Sequence, residues 1–159
     1  MQYRVGTGAD AHALAAGRAL VLGGVTISHP TGLAGHSDGD VLSHAMIDAL
    51  LGAAGAGDIG MHFPPGDPSL AGISSLLLLE RTVAVLAQGG WYIANVDATM
   101  LAQRPRLSPH VPLMRQNIAT ALSVELSQVS VKATTTDYLG FTGREEGIAA
   151  VAVALLCRP

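Results

Sequence analysis

Asp10 and His12 stand two residues apart near the start of the chain, and both are residue types that hold metals. In an extended segment such side chains project to one side of the backbone, so a carboxylate oxygen and an imidazole nitrogen reach toward one point. That is half of a metal site, although a polar strand end is spelled the same way. His36, Ser37, Asp38, Asp40, His44 and Asp48 supply a second half. His44 and Asp48 are four apart on an expected helix and share a face, the arrangement by which a carboxylate fixes the tautomer of a ligating histidine. Asp10, His12 and His44 would then form a three-ligand set of mixed nitrogen and oxygen type with a fourth position open, the pattern of catalytic zinc. Without a metal, the same residues read as two helix caps (Asp38, Asp40), an exposed helix acid (Asp48) and a surface histidine (His44).

A third group lies in KATTTDYLGFTGREEG, residues 132–147. Thr134, Thr135 and Thr136 offer hydroxyls and backbone N–H groups that suit phosphate oxygens. Asp137 suits a hard cation such as magnesium, and Arg144 suits a bidentate anion clamp. A β-branched strand running into a glycine turn explains the same letters. Arg104 and Arg106 flank Pro105 on a short rigid turn, as an anion site or as ordinary surface charge.

These groups need a scaffold, and the punctuation of the chain predicts one. Strands are expected over residues 3–7 and 19–27, joined by a polar glycine-rich turn. A helix capped by Asp38 or Asp40 should run to about residue 55, with Gly57 stopping it. Residues 58–73 hold three prolines and three glycines, a loop long enough to be functional. A second helix from Ser74 or Ser75 should end at Gly89 and Gly90. A strand over 91–103, a third helix from Ser108 to about Leu122, and strands over 128–134 and 147–157 complete the reading. Strands at both ends with helices between them imply an α+β fold, a single domain over residues 1–159 with one sheet covered by helices on one face. The run IAAVAVALL makes the other face apolar too, so that face needs a partner subunit.

Composition agrees. The chain is 49% hydrophobic but only 13% charged, against about 25% in average domains, so apolar surface must be hidden in a permanent homo-oligomer or made innocuous by alanine and glycine. A net charge of −3 provides no basic field for nucleic acid or an anionic membrane. The single cysteine, Cys157, precludes an intramolecular disulfide, and the N-terminal residues lack the apolar core of a signal peptide. No apolar run approaches the ~20 residues of a membrane span, and a cytoplasmic location is expected.

Taken in order, AGHSDGDVLSHA (34–45), GAGDIGMHFPPGDP (55–68), NVDATMLAQRPRLSPHVPLMR (95–115) and VKATTTDYLGFTGREEGIA (131–149) resemble the 2-C-methyl-D-erythritol 2,4-cyclodiphosphate synthase family over essentially the whole chain. The resemblance implies a homotrimer with active sites between neighbouring subunits, the open sheet faces packed around a threefold axis. It implies conversion of 4-diphosphocytidyl-2-C-methyl-D-erythritol 2-phosphate to the cyclic diphosphate with release of CMP. It places zinc, or another divalent cation, on Asp10, His12 and His44. Phosphate contacts fall on His36 and Ser37, and erythritol contacts on Asp58, Ile59 and Gly60 and on Phe63, Pro64, Pro65, Gly66 and Asp67. The adjacent subunit's cytidine pocket corresponds to Ala102, Gln103, Arg104, Pro105, Arg106, Leu107 and Ser108 with Ala133, Thr134, Thr135 and Thr136. His36 and Thr135 match positions that stabilise the transition state. Magnesium, or manganese, accompanies the substrate diphosphate, with Asp137 standing where the family has a glutamate. Phe141, Arg144 and Glu146 match a pocket on the axis that takes an isoprenoid diphosphate. Ala9 and Thr7 replace a bulky aromatic and a histidine near that axis, and Arg106 replaces a common lysine. A zinc hydrolase using the same ligands, or a metal-free isoprenoid-binding trimer, are the competing readings.

Overall fold

Pairing along its full length keeps the N-terminal segment extended well past the glycines that suggested a turn. In the computed structural model, which describes residues 1–159, β1 runs over Gln2–Ala16 rather than stopping near residue 7. Its hydrogen-bond partner is the last strand from Gln2 opposite Arg158 to Ala13 opposite Gly147. The expected strand over 19–27 is a hairpin, β2 (Leu20–Leu22) and β3 (Val25–Ile27). Gly23 and Gly24 have φ of 55° and 70°, the consecutive positive values that a tight two-residue hairpin turn requires.

β4 (Thr31–Leu33) leads into α1 (Val41–Ala54), which ends at Gly55 in the left-handed conformation, two residues before the expected stop at Gly57. The loop over 58–73 contains α2 (Ile59–His62) and a 3₁₀ turn (Pro68–Leu70). α3 (Ser75–Gln88), β5 (Tyr92–Leu101), α4 (Val111–Leu122), β6 (Val129–Thr134), α5 (Gly140–Gly143) and β7 (Gly147–Arg158) follow. The sheet order is β4-β1-β7-β5-β6, with only β5 and β6 parallel. This is the expected α+β class: α1 packs on β1 and β7, while the opposite face leaves Tyr3, Val5, Val151 and Val153 exposed. No helix is long and apolar enough to cross a membrane.

The small residues have a specific task. Ala45, Ala49 and Ala53 recur every fourth residue on α1 and are buried against β1. A Cβ on Gly6 would lie 2.1 Å from the Ala49 carbonyl oxygen, and one on Gly8 would lie 2.0 Å from that of Ala45. Helix backbone therefore rests directly on strand backbone, which brings His44 down to the level of Asp10 and His12. Gly8→Ala should lower stability by about 3 kcal/mol or more in chemical denaturation, because a helix and not a side chain must yield. A variant as stable as wild type would refute this close contact.

The start of α1 is held by Asp40, which is fully buried. Its carboxylate accepts from the Ser43 N–H and hydroxyl and from the Gly23 and Gly24 N–H groups. Burial and the nearby Asp38 push its carboxyl up, while the backbone N–H donors pull it back. One side chain thus caps the helix and ties it to the β2–β3 turn. Asp38, the other expected cap, instead receives the first N–H of α3, from Ser75 at 2.9 Å.

Candidate metal centre and adjoining clefts

Alternation along β1 places Asp10 and His12 on the face that α1 covers, and the close helix brings His44 between them. His12 Nε2 lies 2.8 Å from Asp10 Oδ2, His44 Nδ1 lies 3.1 Å from the same oxygen, and the two nitrogens are 3.1 Å apart. Their rings meet edge to face with centroids 5.2 Å apart. Burial raises the Asp10 carboxyl, but hydrogen bonds and charge from His12 and His44 outweigh it and hold the group well below the usual carboxylate range. His12 is pushed above its ordinary value chiefly by its hydrogen bond to Asp10, against the effect of burial.

Contacts this short need either protons on the inward nitrogens or a cation among the three atoms; a neutral imidazole with its one N–H on the outer nitrogen turns a lone pair inward, as a metal ligand does. A tetrahedral ion with bonds of about 2.0–2.1 Å holds its ligands about 3.3 Å apart. The observed separations need only slight expansion to match, so the residues fit a divalent cation.

The tautomer support differs from expectation. Asp48 does not bond His44; its carboxylate accepts the Ile59 N–H at 2.7 Å and so anchors the start of α2. Burial raises the Asp48 carboxyl, and that N–H opposes the rise. His44 Nε2 meets Ser75 Oγ at 2.9 Å and Ser37 Oγ at 3.1 Å instead. Sequence reasoning saw Ser75 only as a helix opener, and its type alone carries no other signal.

A cavity of about 240 Å³ adjoins this centre, lined on its polar side by Asp10, His12, His36, Ser37 and His44 and on its apolar side by residues such as Ile59, Gly60, Phe63 and Pro65. Arg18 steadies the wall by donating to the carbonyls of Leu33 (2.9 Å) and Ser37 (3.1 Å). His36 Nε2 donates to the Asp67 carbonyl at 2.8 Å, and the Gly72 N–H donates to the His36 carbonyl, so the loop is pinned across the cavity. Asp58 and Asp67 are used locally: Asp58 accepts from the Met61 N–H, and Asp67 from the Ser69 N–H and hydroxyl. Of the loop residues named from the sequence, Asp58, Pro64, Gly66 and Asp67 do not line the cavity.

A larger cleft of about 770 Å³ lies elsewhere, lined by every residue from Ala102 to Ser108, by Ala133, Thr134 and Thr135, and additionally by His29, Pro30 and Glu145. His29 and Pro30 come from the β3–β4 turn, which nothing in the sequence tied to this region. No residue lines both cavities. Thr136, Asp137, Phe141 and Arg144 line neither. Thr136 Oγ1 donates to the Leu139 carbonyl, and Asp137, with φ of 51°, accepts from Thr135 Oγ1 at 3.2 Å. Arg144 is paired with Glu146 at 2.9 Å, and Phe141 is half exposed.

A model of the YgbB family matches residues 3–157. The chain is 60% identical over 153 residues to the 2-C-methyl-D-erythritol 2,4-cyclodiphosphate synthase of Syntrophomonas wolfei subsp. wolfei, covering 96% of this chain and 98% of that one. Among solved structures it resembles the bifunctional IspDF of Campylobacter jejuni at 41% identity and a TM-score of 0.93, spanning 98% of this chain and 42% of that longer one. It also resembles the CDP complex of Plasmodium falciparum IspF at 34% identity and a TM-score of 0.85, over 98% and 96% of the two chains.

Proposed function

The chain belongs to the YgbB family, and on that premise we propose that it converts 4-diphosphocytidyl-2-C-methyl-D-erythritol 2-phosphate to 2-C-methyl-D-erythritol 2,4-cyclodiphosphate with release of CMP, as a phosphorus–oxygen lyase of isoprenoid precursor synthesis. The observation that carries the reading is the convergence of Asp10, His12 and His44 beside a small, partly apolar cavity.

The reaction closes a ring within one molecule by driving the 2-phosphate onto the β-phosphorus. The attacking group is already an ionised phosphate, so no general base is needed and the work is positioning and charge compensation. A divalent cation held by Asp10, His12 and His44, zinc by the donor set, supplies positive charge where two anions must meet. His36 and Ser37 present polar groups to the phosphates, while Ile59, Gly60, Phe63 and Pro65 shape the wall for the erythritol; Asp58, Pro64, Gly66 and Asp67 act by holding that wall.

The remaining parts come from subunit sharing. Three copies pack the uncovered sheet faces around a threefold axis, which buries Val5, Val151 and Val153. That assembly brings one subunit's cleft, from Ala102 to Ser108 with Ala133 to Thr136, against a neighbour's metal centre, and it accounts for two separate half-sites in one chain. Arg106 and Thr135 face the diphosphate, and Asp137 holds the accompanying magnesium or manganese. Phe141 and Arg144 lie toward the axis, where an isoprenoid diphosphate fits. A cytoplasmic location accords with the lone cysteine.

Incubating the protein with the cytidylated substrate and magnesium, with and without a zinc chelator, tests the reading. CMP and a cyclic diphosphate should form in ³¹P spectra and fall to background with chelator. A ring-opened product would establish a hydrolase instead, and no CMP would overturn the assignment.

A further inference from the structure

The outer nitrogen of His44 faces a hydrogen-bond chain whose direction can be read from its far end. Asp38 Oδ1 accepts from the Ser75 hydroxyl at 2.5 Å and from the Asp40 N–H at 3.1 Å, and Oδ2 accepts from the Ser75 N–H at 2.9 Å. Three donors converge on this group, the pattern of a carboxylate with no proton to give. The Ser75 hydroxyl hydrogen must therefore point at Asp38. Its oxygen then offers only lone pairs to His44 Nε2, 2.9 Å away. His44 must supply the proton there, which leaves the lone pair of its neutral ring on Nδ1, facing Asp10 and His12.

We infer that Ser75, oriented by Asp38, is a positioning residue that sets the tautomer of His44 and so makes it a ligand. The inference rests on the reading of Asp10, His12 and His44 as a metal centre. The opposite tautomer would require the Ser75 hydrogen to turn away from Asp38, giving up a short charge-assisted bond. Ser75 is fully buried, so water does not replace the partner it would lose. The relay also governs Ser37. Its hydroxyl lies 3.1 Å from the same Nε2, a nitrogen with no free lone pair in this tautomer, and its oxygen receives the Gly39 N–H at 3.3 Å. The Ser37 hydroxyl hydrogen is left to turn into the cavity toward an anionic ligand. One serine thus acts on the metal side and frees the other for the substrate side.

The test is zinc affinity of the full-length protein, measured by competition with a chromogenic chelator, for wild type, Ser75→Ala and Ser75→Thr. Loss of such a partner typically weakens metal binding by about 10–100-fold, which is expected for Ser75→Ala, while Ser75→Thr, which keeps the hydroxyl, should stay within about threefold of wild type. In zinc-loaded protein labelled with ¹⁵N-histidine, the His44 Nε2 proton should exchange slowly with water in wild type and rapidly in Ser75→Ala. Unchanged zinc affinity in Ser75→Ala overturns the relay. Rapid exchange of that proton in wild type overturns it as well, and this second measurement holds even if the alanine variant does not fold. A wild type with no affinity for zinc fails differently, by removing the metal centre itself and the relay with it.

Discussion

His44→Ala should reduce CMP release by on the order of 1000-fold or more, roughly 4 kcal/mol of transition-state stabilisation, and should abolish zinc binding. The variant keeps Asp10 and His12, two donors where a catalytic zinc needs three. The fold has little reason to fail. Ser75 retains Asp38 and Ser37 retains the Gly39 N–H, so neither hydroxyl is orphaned when the imidazole goes. Asp40 still caps α1, and the space vacated opens onto the existing cavity, where water enters. A stability loss of about 1 kcal/mol is therefore expected in thermal melting, small beside the effect on turnover. Turnover within tenfold of wild type would sink the metal assignment. A collapse in melting temperature matching the loss of activity would make His44 a structural residue.

Two inactive variants should restore each other when their subunits are mixed. His44→Ala destroys the metal half-site, and Ala133→Trp fills the larger cleft with an indole at a position that lines it. Neither alone should exceed about 1% of wild-type turnover. If each active site draws its two halves from different subunits, dissociation and random reassembly at equal ratio leaves both halves intact in about one site in four, so about a quarter of wild-type activity returns. The expectation rests on the proposed sharing of sites between subunits, with which it agrees that the two cavities have no residue in common. A mixture as inactive as its parents, with subunit exchange verified by mass, would place both halves within a single chain.

Much of the metal centre was legible in the letters because it depends on local periodicities. Strand alternation puts Asp10 and His12 on one side whatever the rest of the chain does, and β1 keeps that alternation through both. The helices over 41–54 and 75–88 announced themselves through an opening Asp or Ser and a glycine stop, the helix over 111–122 through Ser108 and Pro109 at its start, and the last two strands through their apolar, β-branched runs. The extent of β1 was not legible, since Gly8 looks like the start of a turn even though Gly6 fits within the expected strand. Their reason is the helix lying across them, and no window of sequence contains both the strand and α1.

The sequence by itself therefore determined the α+β class and the family and singled out Asp10, His12 and His44 as a candidate ligand set, all from residue type and spacing within segments or motifs. Only the tertiary structure decided what stands behind His44. Helical spacing pointed to Asp48, which shares a helix face with His44 but makes its hydrogen bond elsewhere. Asp48 is claimed by the Ile59 N–H, and the ring meets Ser75, 31 positions away, held by Asp38 across a different helix start. A bond between two elements depends on how closely their backbones pack. Here the two elements are α1 and α3, whose packing brings together residues far apart in the chain and is visible only once it has folded.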